Sequence, residues 1–320
     1  MFHLYIASCV PDGGIYHYLY QDGELTLRDK TTIDRPMYLA IANGRMYGLL
    51  REPFADSSNS GVCSWQILDD GSLANQTDIL TTGGRCGCHL TVMDQQVYVA
   101  NYLSGSVSRL PDGAISTHSG HGVHTTRQEA PHVHFVGFTP DQKWLLAVDL
   151  GIDAICMYTP DLKTCRQVHV PAGHGCRHLA WSEDRKYCFC VNELASSVSV
   201  LRYEDDNLTL LDTVSILPEE SREGNLAAAI RVVGERIYLS IRGCDKIVTL
   251  HHQQGHLSLP VFTDAKGQSP RDINIYEDLL FSTNENSDSV TVFRLESDVV
   301  RPMDLQLSVP KPLCVVFHEM

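Results

Sequence analysis

Apolar and polar residues alternate along this chain in short runs, and the runs recur. Seven segments share one form: "LYIASCVPDGGIYHYLY", "MYGLLREPFADSSNSGVCSWQIL", "VYVANYLSGSVSRL", "WLLAVDLGIDAICMY", "YCFCVNELASSVSVL", "IYLSIRGCDKIVTL" and "LLFSTNENSDSVTVF". Each is a β-rich run, a polar turn built on Gly, Asn or Ser, and a second run rich in Val, Ile and Ser, which is the pattern of a β-hairpin. Ahead of six of them lies a further short strand with its own turn, as in "PHVHFVGFTPDQ", "CRHLAWSEDRK" and "PRDINIYED". Measured from Tyr47 through Tyr98, Leu146, Phe189, Tyr238 and Phe281, the spacing runs from 43 to 51 residues. Repeats of that period with three or four strands each predict an all-β, seven-bladed β-propeller.

The first hairpin has no leader strand. "KPLCVVFHEM" at the other end of the chain has the leader's shape. The C-terminal strand is therefore expected to pair with "FHLYIAS" and close the ring, which removes exposed strand edges. Length alone, at roughly 150 residues per domain, would suggest two domains. The repeat overrides that prior and makes residues 1–320 one propeller domain.

Composition narrows the partners. Lys and Arg number 25 against 39 Asp and Glu, a net charge of −14, the wrong sign for a protein that must neutralise nucleic-acid phosphates. "MFHLYIASCVPDGG" lacks the basic and apolar regions of a secretory signal, and no apolar run approaches the roughly 18 residues of a membrane span, so a cytoplasmic protein without a membrane partner is expected. Eleven cysteines without framework spacing read as small buried apolar residues.

Charged groups gather at matching repeat positions. Leader strands begin with His132 and His134 in "APHVHF", Arg177 and His178 in "GHGCRH", and Arg271 in "QSPRDI". The following strands end in Asp149, Glu193 and Arg242, from "AVDLG", "CVNEL" and "LSIRG". Because equivalent positions of a propeller share radius and height, these side chains are expected to meet over the central channel.

The segments "GHGCRH" with "VNELASSV", the connection "PEE" to "AAAI", the "PH" leader before "VDLGID", and "SPR" ahead of the last blade resemble the lactonase family of seven-bladed propellers. That family contains propeller-type 6-phosphogluconolactonases and carboxy-muconate lactonizing enzymes. The resemblance runs from the first blade to the closing strand and is densest from Pro131 to Arg271. It implies a site of His132, Arg177, Glu193 and Arg242, with Arg271 in addition, and a small sugar lactone, anionic by expectation, as substrate. Two positions depart from the family pattern: Cys176 replaces a Pro before the Arg, and Ile241 replaces Asn or Asp before Arg242. Both are expected to bear on pocket shape.

The residue types suit the chemistry. A lactone is an activated ester, so its hydrolysis needs a deprotonated water and positive charge where the oxyanion develops, rather than a Ser or Cys nucleophile. Glu193 is the first candidate for general base and His132 the second. Arg177 and Arg242 would hold the oxyanion and a third Arg would clamp a substrate phosphate or carboxylate. Two nearby guanidiniums should, however, lower the Glu193 pKa and weaken it as a base.

His134 and His178 are placed in the substrate-binding set but read first as core histidines donating to backbone carbonyls between blades; Asp149, in the same set, reads also as a turn cap. Arg127, in "HGVHTTRQEAPHVH", a loop expected to lean over one mouth, reads first as a solvated loop arginine and second as an aid to substrate binding. No nucleotide-binding glycine pattern and no zinc-ligand spacing is present, so neither cofactor nor metal is expected. Monomer or weak homodimer is the expected state. A cycloisomerase using the same residues and a non-catalytic interaction propeller are the competing readings.

Overall fold

The structure is a computed structural model that describes residues 1–54, 57–163, 165–220, 224–296 and 299–319. Seven antiparallel sheets stand around an axis, each numbered here as a blade in chain order. The innermost strands touch in a circle: Pro36–Ala42, Gly87–Met93, Val133–Phe138, Cys176–Trp181, Leu226–Val233, Pro270–Tyr276, Pro312–Glu319, and back to Pro36–Ala42. The last of these belongs to blade one. Pro312–Glu319 pairs antiparallel with Phe2–Ser8, from Phe2 opposite Glu319 to Ala7 opposite Cys314, so the two chain ends form one sheet and the ring closes.

Alternation along each strand sends apolar side chains into the spaces between blades. Phe189, Ile237 and Leu239 fill the space between blades five and six, and Phe2, Phe281 and Val292 that between blades seven and one. Burial at roughly 25 cal/mol per Å² of apolar surface makes these layers the main source of cohesion. Eight of the ten free cysteines among the described residues lie in such buried places.

Two repeated devices shape the channel. The first is a β-bulge near the start of the innermost strand, recognisable as a register shift at Pro36/Tyr38, Val133/Phe135, Cys176/His178 and Pro270/Asp272 and matched in the other blades. A bulge leaves one residue unpaired and re-aims its side chain. The residues so treated include Met37, Cys88, His134, Arg177, Arg271 and Leu313, and all six line the space at the channel's centre.

The second device is an Asn at the end of the next strand. Asn101, Asn192 and Asn284 each donate from Nδ2 to hydroxyls five and seven residues further on: Ser106 and Ser108, Ser197 and Ser199, Ser289 and Thr291, at 2.8–3.3 Å. The Ser-rich third strands thus satisfy a buried amide that holds the turn at each mouth.

Candidate active site at one mouth of the channel

One residue beyond that Asn position, every blade places a side chain at the same mouth: Cys9, Arg51, Tyr102, Leu150, Glu193, Arg242 and Glu285. Below this ring lies the ring of bulged residues. Ion pairs join the two: Arg177 Nε to Glu193 Oε2 at 2.9 Å in blade five, and Arg271 Nη1 to Glu285 Oε2 at 3.2 Å in blade seven.

Glu193 is the centre of the cluster. Its Oε2 also lies 2.8 Å from Arg242 Nη2, and its Oε1 accepts from Arg127 Nη2 at 2.5 Å. Arg177 donates further from Nη1 to Ala228 O at 2.5 Å. Burial alone would raise the Glu193 carboxyl, but the Arg242, Arg177 and Arg127 guanidiniums outweigh it and hold it well below the usual carboxylate range. Burial, with Arg242 next, presses Arg177 down to about 9, and it remains cationic at neutral pH. Arg242 is lowered in the same way, burial first, with Glu193 opposing.

The Arg242 contact with Glu193 is an ion pair without hydrogen-bond alignment. Nη2 meets that carboxylate off-line, and the buried Arg242 Nε has no hydrogen-bond partner among the described residues. Nε is thus a buried donor in the cluster that the anion does not satisfy.

His132 lies at the same mouth. Its ring stacks on Tyr102, with centroids 4.4 Å apart, and the Tyr102 hydroxyl is 3.5 Å from Arg127 Nη2. Nδ1 is 3.1 Å from Tyr102 O. A carbonyl only accepts, so Nδ1 donates to it, while Nε2 lies 3.1 Å from the half-exposed Glu129 carboxylate, which is likewise an acceptor.

The remaining expected residues fall in three places. Arg271 belongs to the lower ring with its partner Glu285. His134 is the bulged residue of blade four, edge-on to Tyr102, with Nδ1 3.8 Å from Cys88 Sγ; burial and Arg177 push its pKa well below the ordinary value, so it is a neutral wall. His178 lies deeper, between His89 and His134, and is held neutral by burial and Arg177.

Asp149 is not positioned to touch a ligand. It stands at blade four's equivalent of the Asn, fully buried, and accepts from His132 N at 2.7 Å, Gly151 N at 2.9 Å and His118 Nδ1 at 2.6 Å. Its substrate-binding assignment gives way to a capping one that fixes the backbone of His132.

The repeat alignment shifts one equivalence. Because the bulge takes up His134, the residue matching Arg177 and Arg271 is His134, and His132 precedes its strand. Arg127 departs most from expectation: its loop lays it on Glu193 instead of leaving it in solvent. Glu285 and Tyr102 were also missed, although the alignment of "VNEL", "TNEN" and "ANYL" carried both. The two departures from the family pattern do not reach the pocket. Cys176 is fully buried with Sγ against Asp149 O at 3.1 Å, and Ile241 is core between blades five and six. Among the described residues no three His, Cys, Asp or Glu side chains converge to hold a metal ion.

A family model described as "Lactonase, 7-bladed beta-propeller" matches residues 3–317. A Bacillus subtilis (strain 168) protein named 6-phosphogluconolactonase is 33% identical over 283 residues, 80% of each chain. Among solved structures, a protein from Lactobacillus plantarum is 28% identical and superposes over 100% of both chains with a TM-score of 0.88. A periplasmic gluconolactonase of Pseudomonas aeruginosa is 23% identical, with a TM-score of 0.88 over 99% of this chain and 98% of that one, a likeness of fold alone.

Proposed function

The chain belongs to the lactonase family of seven-bladed β-propellers, and from that premise we propose that it hydrolyses a sugar lactone, best fitted by 6-phospho-D-glucono-1,5-lactone giving 6-phosphogluconate. The observation that carries this reading is the buried Arg242 guanidinium, whose Nε has no partner among the described residues and whose Nη2 meets Glu193 only off-line. A buried donor fixed beside a carboxylate, but not satisfied by it, suits an oxyanion that exists only during reaction.

The proton chemistry falls to His132. Glu193 is held ionised by three guanidiniums and is too weak a base to deprotonate water; it keeps the like-charged arginines together in a dry place. With substrate bound, the half-exposed Glu129 turns to solvent and frees His132 Nε2, which takes the proton as the water oxygen bonds to the lactone carbonyl carbon, and the carbonyl oxygen becomes an oxyanion against Arg242 and Arg177. When the bond from that carbon to the ring oxygen breaks, the ring oxygen receives the proton back from Nε2. One water is consumed and one hydroxy acid is formed.

Arg127 supplies the anion selectivity. It is the most exposed guanidinium of the cluster, at 32%, and lies on the loop at the edge of the mouth. A substrate phosphate attracts it away from Glu193 and takes up its donors. The protein's overall negative charge opposes this little, because charges beyond about 8 Å are screened at physiological salt.

The test is lactone-dependent proton release on 6-phosphogluconolactone, unphosphorylated sugar lactones and muconolactones. The phosphorylated lactone should turn over best. Activity of His132→Asn should fall by roughly 10²- to 10⁴-fold, the range for losing a general base. Full activity in that variant would return the base role to Glu193. Turnover of muconolactone alone would make the protein a cycloisomerase, and turnover of none would leave an interaction propeller.

A further inference from the structure

The channel has a second mouth, and the chemistry there is different. At the far ends of the innermost strands lies a cavity of about 510 Å³, within the size range of small-molecule sites. A constriction separates it from the arginine mouth. Between the two, Tyr38, His134, Arg177, His178 and Asp272 leave about 10 Å³, room for about one water. A lactone bound above therefore has no route to it.

One wall of the cavity is aromatic. Tyr38 and Phe135 lie on either side of His89, each with its centroid 4.3 Å from the imidazole, and Trp181 extends the wall on blade five. Facing it is Arg231, which donates to Asp272 Oδ1 at 2.9 Å, Asn274 Oδ1 at 3.1 Å and Ile230 O at 2.8 Å. That leaves two of its five N–H groups unused.

Two more donors are unused. His89 is 6% exposed, and its Nδ1 accepts from Val136 N at 3.4 Å, which places its proton on Nε2. Burial, with Arg231 and Arg177 behind it, keeps the imidazole neutral. The Tyr38 hydroxyl is held protonated by burial. Among the described residues neither the His89 Nε2–H nor the Tyr38 hydroxyl has a partner.

Donors therefore converge on a flat wall without acceptors to meet them. Charge does not converge with them: Asp272 offsets Arg231, whereas the other mouth carries a surplus of arginine. An anion has its better site there. We propose that this second mouth binds a planar, uncharged heteroaromatic molecule whose carbonyl or ring-nitrogen acceptors meet His89, Tyr38 and Arg231 while its face lies on the aromatic wall. Nucleobase-like rings have this chemistry.

The proposal is tested by calorimetric titration of the intact protein with adenosine, uridine and caffeine, each an uncharged planar acceptor, with 6-phosphogluconate as the anionic counter-probe. At least one of the three should bind with a Kd below about 1 mM. His89→Leu removes a donor and Ala40→Phe fills the cavity; each should weaken binding by about tenfold or more while lactone turnover stays unchanged. Thr91→Met fills the same cavity from blade three should Ala40→Phe fail to fold. Saturable binding of none of the probes, binding that survives the filling variants, or displacement by 6-phosphogluconate would each overturn the assignment. Because turnover is read separately, a protein without lactonase activity that still binds a probe sinks only the function proposed above.

Discussion

Blades five and seven carry the same pair at the same step of the repeat, Arg177 with Glu193 and Arg271 with Glu285. In each, the bulged arginine of the innermost strand meets the glutamate just past the next strand, whose backbone N–H is bonded to the preceding leader loop: Glu193 N to Gly175 O, Glu285 N to Ser269 O. The environments nevertheless diverge. The blade-five side chains are 3% and 4% exposed, those of blade seven 19% and 24%. Glu193 receives two further guanidiniums, whereas among the described residues Glu285 pairs with Arg271 only. The repeat sets where a side chain stands; the neighbouring blades and loops decide what its charge does.

The largest effect is expected of Glu193→Gln. It leaves three guanidiniums around a neutral amide, and the protein should lose about 3–5 kcal/mol in urea unfolding, together with lactone turnover. The double variant Arg177→Met with Glu193→Leu should recover much of that stability and none of the turnover, since removing both buried charges also removes their desolvation cost. The loss depends on pH with a definite sign. The native Glu193 pKa lies below its unfolded value, so its contribution is fully present above the unfolded carboxylate range and is lost as pH falls toward the native pKa. The stability gap between wild type and Glu193→Gln should therefore be constant near neutrality and close in acid. A gap that widened in acid would contradict the ion cluster.

Next in size is Arg127→Ala. Removing the exposed arm should raise KM for the phosphorylated lactone by about tenfold, the magnitude of one charge-assisted contact, and leave KM for the unphosphorylated lactone within about twofold. Steady-state kinetics on both substrates reads the split, and equal effects on the two would remove Arg127 from phosphate recognition.

The smallest effect belongs to the blade-seven pair. Glu285→Gln should cost about 1 kcal/mol or less, as partly exposed ion pairs do, and change turnover by less than about tenfold. A loss as large as that of Glu193→Gln would mean that the two pairs are not distinguished by their neighbours.

Much of this architecture was legible in the chain. The strings "NYLSGSVS", "NELASSVS" and "NENSDSVT" spell the Asn-to-hydroxyl ladder residue by residue, because its bonds span only five and seven positions. The unmatched first hairpin and the surplus last strand together required closure. The meeting of Arg177 with Glu193 followed from a leader, a turn and a return strand, all local. What escaped was set by irregularity or by distance. His134, and not His132, takes the bulge position of blade four because the innermost strand there starts at Val133, two residues past Pro131, whereas in blade seven it starts at Pro270 itself. Asp149 looked chemical because an Asp is charged, yet two backbone N–H groups take its Oδ1 and the His118 ring takes its Oδ2.

The number of blades and the step of the repeat at which charges stand follow from the chain alone, because each depends on contacts between neighbours in it; the closing strand, a contact between the two chain ends, follows because the repeat leaves one hairpin without a leader and one strand without a hairpin. It took the folded molecule to show that Arg127, 66 residues from Glu193, closes over that carboxylate, that Arg242 arrives from the next blade with its Nε unpartnered among the described residues, and that the channel is divided into a cationic mouth and a neutral one. Those outcomes depend on electrostatic fields summed over several blades and on a loop whose path is set by what it packs against, and neither is encoded in any short stretch of residues.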